Sequence, residues 1–182
     1  MTADFAEWIE FSSEASLLEW VRGGARDALL IRSGDGDARR HLGLEVPVRG
    51  LDGRALSIGV QCVSYGILPQ CLVVGARAAM FVGLDSSIHR IAAQDARSTR
   101  VVDSDYVFYE MIDVPAIGLV LAVFEVEVVG INYDGSIRWR RDLPEICGGV
   151  AVEGATAMVK LWESHVTFAL RLQDGSVRAG HP

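Results

Sequence analysis

Two glutamates in an apolar run are the residues of this sequence whose spacing best suits chemistry. Glu125 and Glu127 alternate with apolar side chains between positions 124 and 128. Residues two apart on a continuous strand share a face at about 7 Å, a separation that suits a pair of carboxylates. The plainer interpretation is the solvent-facing side of an antiparallel sheet. With Arg138, Arg140 or Arg141 across the hairpin the glutamates would form cross-strand ion pairs, and if they are unpaired and exposed they would form an acidic patch for a partner.

A second pair of acids, Asp103 and Asp105, lies at the end of a polar stretch over residues 94–105 that we expect to be an irregular, mobile loop. Trp8 lies in an aromatic-rich N-terminal segment that either packs on the body or contacts a partner. These three residues and the two glutamates are the predicted partner-binding residues.

Known catalytic motifs are missing from the sequence. It has no phosphate-binding glycine loop, no dinucleotide-binding glycine motif and no serine nucleophile elbow. Its histidines are far apart, without metal-ligand spacing. Cys147 precedes two glycines, and with His165 as its base it could act as a nucleophile. A free buried cysteine is the plainer interpretation. We therefore predict no catalytic residue, no metal and no cofactor.

Composition limits the class of partner. The formal net charge is -7, which argues against a nucleic acid and permits a basic protein, since opposite charges speed encounter. No apolar run approaches the roughly 18 residues of a membrane helix, so we expect no membrane partner. The acidic start lacks the features of a signal peptide, and the three cysteines form no Cys-x-x-Cys pair. We therefore expect a cytoplasmic protein without disulfides.

The elements that would position these residues are mostly strands. Ser12 or Ser13 can cap a helix whose apolar face holds Leu17 and Val21. We predict one domain over residues 1–182, with an arm and helix at 1–27, a β-rich body at 28–178 and a tail at 179–182. The predicted class is mainly β, as an antiparallel β-sandwich or twisted blade-like hairpin sheets with one N-terminal helix. An α+β fold is the alternative.

Four segments share a turn pattern, and Asp-Gly between alternating strands is a strong hairpin signal. They recur about every 40 residues, the length of a four-stranded propeller blade. The segments are Leu51 to Leu56, Leu84 to His89, Tyr133 to Trp139 and Gln173 to Arg178.

Residues 118–178 resemble the blades of quinoprotein-like β-propellers of the pyrroloquinoline-quinone type. Tyr133-Asp134-Gly135 through Trp139 carries the resemblance. It implies a hairpin, a tight turn and a strand that ends in a tryptophan, which we expect to anchor in the core. A closed propeller needs at least four blades, roughly 160 residues, and residues 44–178 are too few. No residue of a quinone or metal site carries over.

Three functions stay open at this point. We favour a non-catalytic protein-interaction module, specifically an immunity-type protein that neutralises a toxin or effector. The first alternative is a small enzyme or ligand-binding domain whose site on the sheet uses Glu125, Glu127, His165 or Asp103. The second is a structural subunit that assembles through edge strands. The sequence leaves the oligomeric state undetermined.

Overall fold

Within the residues that the structure describes, the fold is mainly β with a single α-helix, as predicted. The computed structural model describes residues 7–23, 27–33, 38–47, 55–63, 65–74, 79–92 and 96–178. In chain order the elements are β1 (Ile9–Phe11), α1 (Glu14–Gly23), β2 (Ala28–Arg32), β3 (Arg40–Pro47), β4 (Ala55–Cys62), β5 (Gln70–Val74), β6 (Ala79–Leu84), β7 (Ser87–Ala92), β8 (Arg97–Asp103), β9 (Phe108–Val114), β10 (Leu119–Phe124), β11 (Glu127–Asn132), β12 (Ile137–Asp142), β13 (Cys147–Glu153), β14 (Thr156–Leu161), β15 (Thr167–Arg171) and β16 (Val177–Arg178).

The described strands form four sheets of four strands each, here numbered in chain order. Sheet 1 has the order β1-β3-β4-β2, sheet 2 has β5-β6-β7-β8, sheet 3 has β12-β11-β10-β9, and sheet 4 has β13-β14-β15-β16. All pairings are antiparallel except that of β2 with β4. In sheets 2 to 4 the strands lie side by side in chain order, as in a meander of hairpins.

The sheets stack face to face in a row. One apolar cluster joins sheets 1 and 2, a second joins sheets 2 and 3, and a third joins sheets 3 and 4. Strand β10 is buried on both faces: Val120 and Ala122 pack towards sheet 2, and Leu119 and Leu121 pack towards sheet 4. The strand is therefore an unbroken apolar run, because neither face meets water.

Helix α1 covers the outer face of sheet 1. Ser13 caps it, since the Ser13 hydroxyl accepts the Ser16 amide at 3.2 Å. Leu17 and Val21 are buried and lie so close over Gly59 that a Cβ there would be 2.7 Å from Val21 Cγ2. This helix spans 10 residues, and no helix in the described parts of the chain combines the length and apolarity needed to cross a bilayer.

Much of the outer face of sheet 4 is exposed, although Thr156 on that face is buried. Pairing and alternation place Glu153, Lys160, Thr167 and Arg171 on that face, and all four are exposed. Sheet 1 therefore does not cover sheet 4, and the row is open rather than closed into a ring. A charged outer face leaves the end of the row solvated.

Trp139 connects sheet 3 to sheet 4. The indole is 7 % exposed and lies against the backbones of Gly130 and Gly175, where a Cβ would be 2.6 and 2.7 Å from the ring. Its Nε1–H donates to the carbonyl of Leu172 at 2.9 Å. The expectation that this tryptophan anchors its hairpin in the core is confirmed.

Two of the four predicted turns have the same geometry. Asp134 and Asp174 each accept the amide and the hydroxyl of the serine two residues later, and Gly135 and Gly175 have φ of 92° and 67°. Each turn joins the third and fourth strands of its sheet. Asp85 instead turns between the second and third strands of sheet 2, so it is not equivalent. The segment from Leu51 lies mostly outside the described residues, as does the tail at 179–182.

Two expectations about local structure are wrong. Glu125 and Val126 form the turn of the β10–β11 hairpin, in which Phe124 pairs with Glu127, so the two glutamates do not share a strand face. The sequence gives no signal for this turn, because apolar residues flank it on both sides and neither turn residue has a positive φ. Residues 97–103, expected in a loop, form β8. This strand is polar because it is the edge of its sheet, with only Val102 buried.

Candidate functional site

A cleft of about 560 Å³ opens where sheets 2 and 3 meet. It lies at the end of β8, along the β8–β9 connection, at the start of β11 and at the end of β12. It brings together three of the predicted residues, Asp103, Asp105 and Glu127. The complete lining is Asp103, Ser104, Asp105, Tyr106, Glu127, Arg140 and Asp142.

Glu127 is the fixed centre of the cleft. It is 4 % exposed, and each carboxylate oxygen accepts a hydrogen bond, Oε2 from the Ser104 hydroxyl at 2.9 Å and Oε1 from Arg140 Nη1 at 3.2 Å. Arg140 also donates from Nη2 to the carbonyl of Asp103 at 3.2 Å. One buried carboxylate thus ties β11, β12 and the β8–β9 connection together.

Strand register explains why Arg140 reaches Glu127. Glu127 pairs with Asp142, and Val129 pairs with Arg140, so Arg140 is the diagonal neighbour of Glu127 on the same face. The β10–β11 turn places Glu127 first in its strand, at the level where β8 ends. The short β10–β11 turn therefore positions Glu127, and the register of β12, in which Arg140 lies two residues before Asp142, positions its partner.

The rim of the cleft is acidic and exposed. Asp103 and Asp105 are exposed, and Asp103 accepts a hydrogen bond from Arg100 at 3.2 Å. An exposed pair of this kind contributes little to stability, so the Asp103 carboxylate stays available. Tyr106 adds an aromatic ring that is 37 % exposed. Four carboxylates face one guanidinium in this lining, which suits a cationic ligand.

A buried histidine lies behind the rim. His89 is 7 % exposed, and its ring nitrogens are 3.3 Å from the hydroxyls of Ser87 and Ser98. Burial lowers the pKa of His89 to about 4, and the nearby Arg100 guanidinium lowers it further while Asp103 opposes the shift. The imidazole is therefore neutral at pH 7 and adds no positive charge to the cleft.

The other two predicted residues lie away from the cleft. Glu125 is half-buried in its turn, where its amide donates to the Val107 carbonyl at 2.8 Å and its carbonyl accepts the Cys147 amide at 2.7 Å. Its backbone therefore links the β10–β11 turn to the β8–β9 connection and to the start of β13. Trp8 is half-buried and packs on the apolar cluster between sheets 1 and 2, which matches the packing alternative for this segment.

The geometry disfavours a cysteine nucleophile. Cys147 is 4 % exposed, and burial raises the pKa of its thiol, so the reactive thiolate is suppressed. His165 is exposed in the β14–β15 connection with φ of 56°. Burial also raises the pKa of Cys71 to about 12. Across the described ranges, no three His, Cys, Asp or Glu residues are grouped as metal ligands.

Sequence reasoning missed three residues of the cleft, namely Ser104, Tyr106 and Asp142. An arginine of the next strand was expected beside the glutamates, and Arg140 pairs with Glu127 in the structure. A signal for Asp142 was present, because it alternates with Arg140 on β12 and would face Glu127 once the β10–β11 turn is recognised. Ser104 and Tyr106 carry no such signal, since they enter the cleft through the packing of one sheet on the next.

Comparison with known proteins does not identify a relative. No protein-family model matches the chain, and no curated protein is significantly similar to it in sequence.

Proposed function

We propose that this protein is a non-catalytic interaction module that binds a basic partner protein in the acidic cleft. The observation that carries the proposal is the convergence of Asp103, Asp105, Glu127 and Asp142 on one concave surface. Acidic side chains near a cleft attract a cationic partner from a distance and orient it during encounter.

Glu127 supports binding by fixing the shape of the cleft and not by contacting the partner. Ser104 and Arg140 hold its buried carboxylate, so the base of the cleft is already ordered before a partner docks. Tyr106 offers a ring of the type enriched in protein interfaces, and an arginine or lysine of the partner can stack on it.

Neutralising a basic toxin or effector is the more specific form of this proposal. An immunity-type protein must recognise its target quickly, and a net charge of -7 favours rapid association with a basic surface. The net charge is the observation that supports this immunity-type function.

The carboxylate-lined enzyme gains no support from the geometry. Both oxygens of Glu127 are engaged by hydrogen-bond donors, and Glu125 lies in a turn outside the lining. The carboxylate pair that would have done acid–base chemistry is therefore not assembled in the cleft.

The test uses a short arginine-rich peptide as a defined basic probe, titrated into ¹⁵N-labelled protein at low ionic strength. We expect saturable shifts at the amides of Ser104, Tyr106 and Glu127. The double variant Asp103→Asn, Asp105→Asn should weaken binding about tenfold, since each exposed ion pair contributes up to about 1 kcal/mol.

A charge-matched control separates site binding from general attraction. The double variant Glu153→Gln, Glu163→Gln removes two exposed acids, one on β13 and one in the β14–β15 connection, so both double variants have a formal net charge of -5 instead of -7. The control should bind as the natural protein does. Equal weakening in the two variants would mean that the peptide senses net charge alone, and the proposed site would be abandoned.

A further inference from the structure

A second groove, of about 1170 Å³, runs along the ends of sheets 3 and 4. Its charged residues are Arg138, Arg171 and Arg178, and no carboxylate lines the described part of it. The apolar part of its wall includes Val114, Ile117 and Leu172. Three guanidinium groups therefore lie beside an apolar wall in a chain whose net charge is -7.

Arg138 is held in place by its neighbours. Its Nε donates to Asn132 Oδ1 at 2.7 Å, and its Nη2 donates to the Ile117 carbonyl at 3.2 Å. The Asn132 side chain is itself fixed, because its Nδ2 donates to the Ser136 hydroxyl at 2.9 Å. Neutral oxygens orient this guanidinium without cancelling its charge, so its position in the groove is defined before any ligand arrives.

By strand register the other two arginines lie on the outer face of sheet 4, reach the groove from there and are exposed. Within the described residues, no side-chain hydrogen bond or ion pair involves Arg171 or Arg178. Asp174 is the acid near Arg171, and its carboxylate already accepts two hydrogen bonds from Ser176. Those bonds lower the pKa of Asp174, and the Arg171 charge lowers it slightly further. Asp174 therefore offsets part of one charge, and the groove stays positive.

We propose that this groove binds an acidic peptide segment of a partner protein, extended and carrying carboxylates next to an apolar side chain. Arginine clusters recognise acidic motifs because each guanidinium donates a fork of hydrogen bonds to an oxyanion. The volume of the groove, about 1170 Å³, lies above the roughly 300–1,000 Å³ of a small-molecule site, which favours a peptide over a compact ligand. Ile117, 41 % exposed, is placed to take the apolar side chain.

The groove is independent of the acidic cleft. In sheet 3 the groove uses the end of β9 and the start of β12, and the cleft uses the start of β11 and the end of β12. Because the strands are antiparallel, the two sites lie at opposite ends of the sheet, about 17 Å apart along a six-residue strand. The protein thus presents surfaces of opposite charge at the two ends of the strands of sheet 3.

The test titrates a short capped peptide of alternating glutamate and leucine into the full chain by isothermal titration calorimetry, with the glutamine and leucine peptide as its uncharged counterpart. We expect saturable binding of the glutamate peptide alone, weakened as salt rises. The double variant Arg171→Gln, Arg178→Gln should raise Kd about tenfold, and Arg141→Gln, an exposed arginine on β12 outside the groove, should leave Kd unchanged.

Three results would overturn the inference: equal binding of the two peptides, an unchanged Kd in the double variant, or no saturable binding at low salt. Sedimentation velocity addresses a different occupant. If the chain associates with itself and the double variant abolishes that association, the groove takes an acidic surface of a second copy, and the inference of a separate acidic partner is overturned. The arginine-rich peptide does not report on this groove, so each proposal can fail without the other.

Discussion

Glu127 and Arg140 form one ion pair, but replacing Arg140 should cost more stability than replacing Glu127. Glu127 is 5 % exposed in its side chain and Arg140 is 39 % exposed. Arg140→Gln leaves a buried carboxylate with one remaining donor, whereas Glu127→Gln leaves a guanidinium that water can reach. Unpaired buried charge is the more costly outcome, so we expect a loss of about 2 kcal/mol for Arg140→Gln and about 1 kcal/mol for Glu127→Gln.

Urea denaturation of the natural protein, both single variants and the double variant measures these losses, since urea does not screen charges as guanidinium does. Circular dichroism and tryptophan fluorescence should report one coincident transition. The double variant should lose less than the sum of the two single losses, with a coupling free energy of about 1 kcal/mol.

Glu127→Gln costing as much as Arg140→Gln would refute the reasoning from unequal burial. A coupling below about 0.3 kcal/mol would show that the two side chains do not stabilise each other. Arg141→Gln, which changes an exposed neighbour on the same strand, is the control and should change stability by less than about 0.5 kcal/mol.

Three further predictions concern residues that stabilise the fold around the two sites. The pKa of His89 is about 4 in the folded protein, against a reference value of 6.5. As the pH falls the unfolded chain therefore binds a proton first, and the free energy of unfolding should fall by up to about 3 kcal/mol between pH 6.5 and pH 4. His89→Gln should reduce this pH dependence of the free energy of unfolding, measured in urea. Trp139→Phe keeps most of the apolar contact but leaves the Leu172 carbonyl without its indole donor, so a loss of about 1–3 kcal/mol is expected in urea; no loss would mean that water replaces the bond. Gly83→Ala should destabilise by about 1–3 kcal/mol, because the new Cβ would lie 2.4 Å from Phe108 Cζ, and an unchanged thermal midpoint would mean that this ring moves freely.

Local signals made much of the secondary structure predictable. The Ser13 cap, the apolar run of β10 and the Asp134-Gly135 turn each act over a few neighbouring residues, and their chemistry is visible in the sequence. The Glu125-Val126 turn could not be predicted from the sequence, because its residues are not typical of turns and both flanking segments are apolar. Strand β8 could not be predicted either, because an edge strand need not be apolar.

The arrangement of the strands and sheets was not predictable, because it depends on non-local contacts. Nothing in the sequence shows that β2 lies parallel to β4 or that β1 pairs with β3. The same holds for the cleft: Asp103 and Glu127 were identified as candidates, but only the packing of sheet 2 on sheet 3 brings them together. The arginine groove was missed altogether, since its three arginines lie on two sheets.

The open row of sheets leaves the number of units unconstrained by geometry. A ring fixes its blade count, because the last blade must meet the first, whereas a row can be lengthened or shortened by one sheet at a time. The charged outer face of sheet 4 is then what terminates growth. Replacing Lys160 and Thr167 there by leucine and valine would create an apolar end face. Because helix α1 covers the other end of the row, two copies would pair through this face as a closed dimer and not add head to tail as a filament.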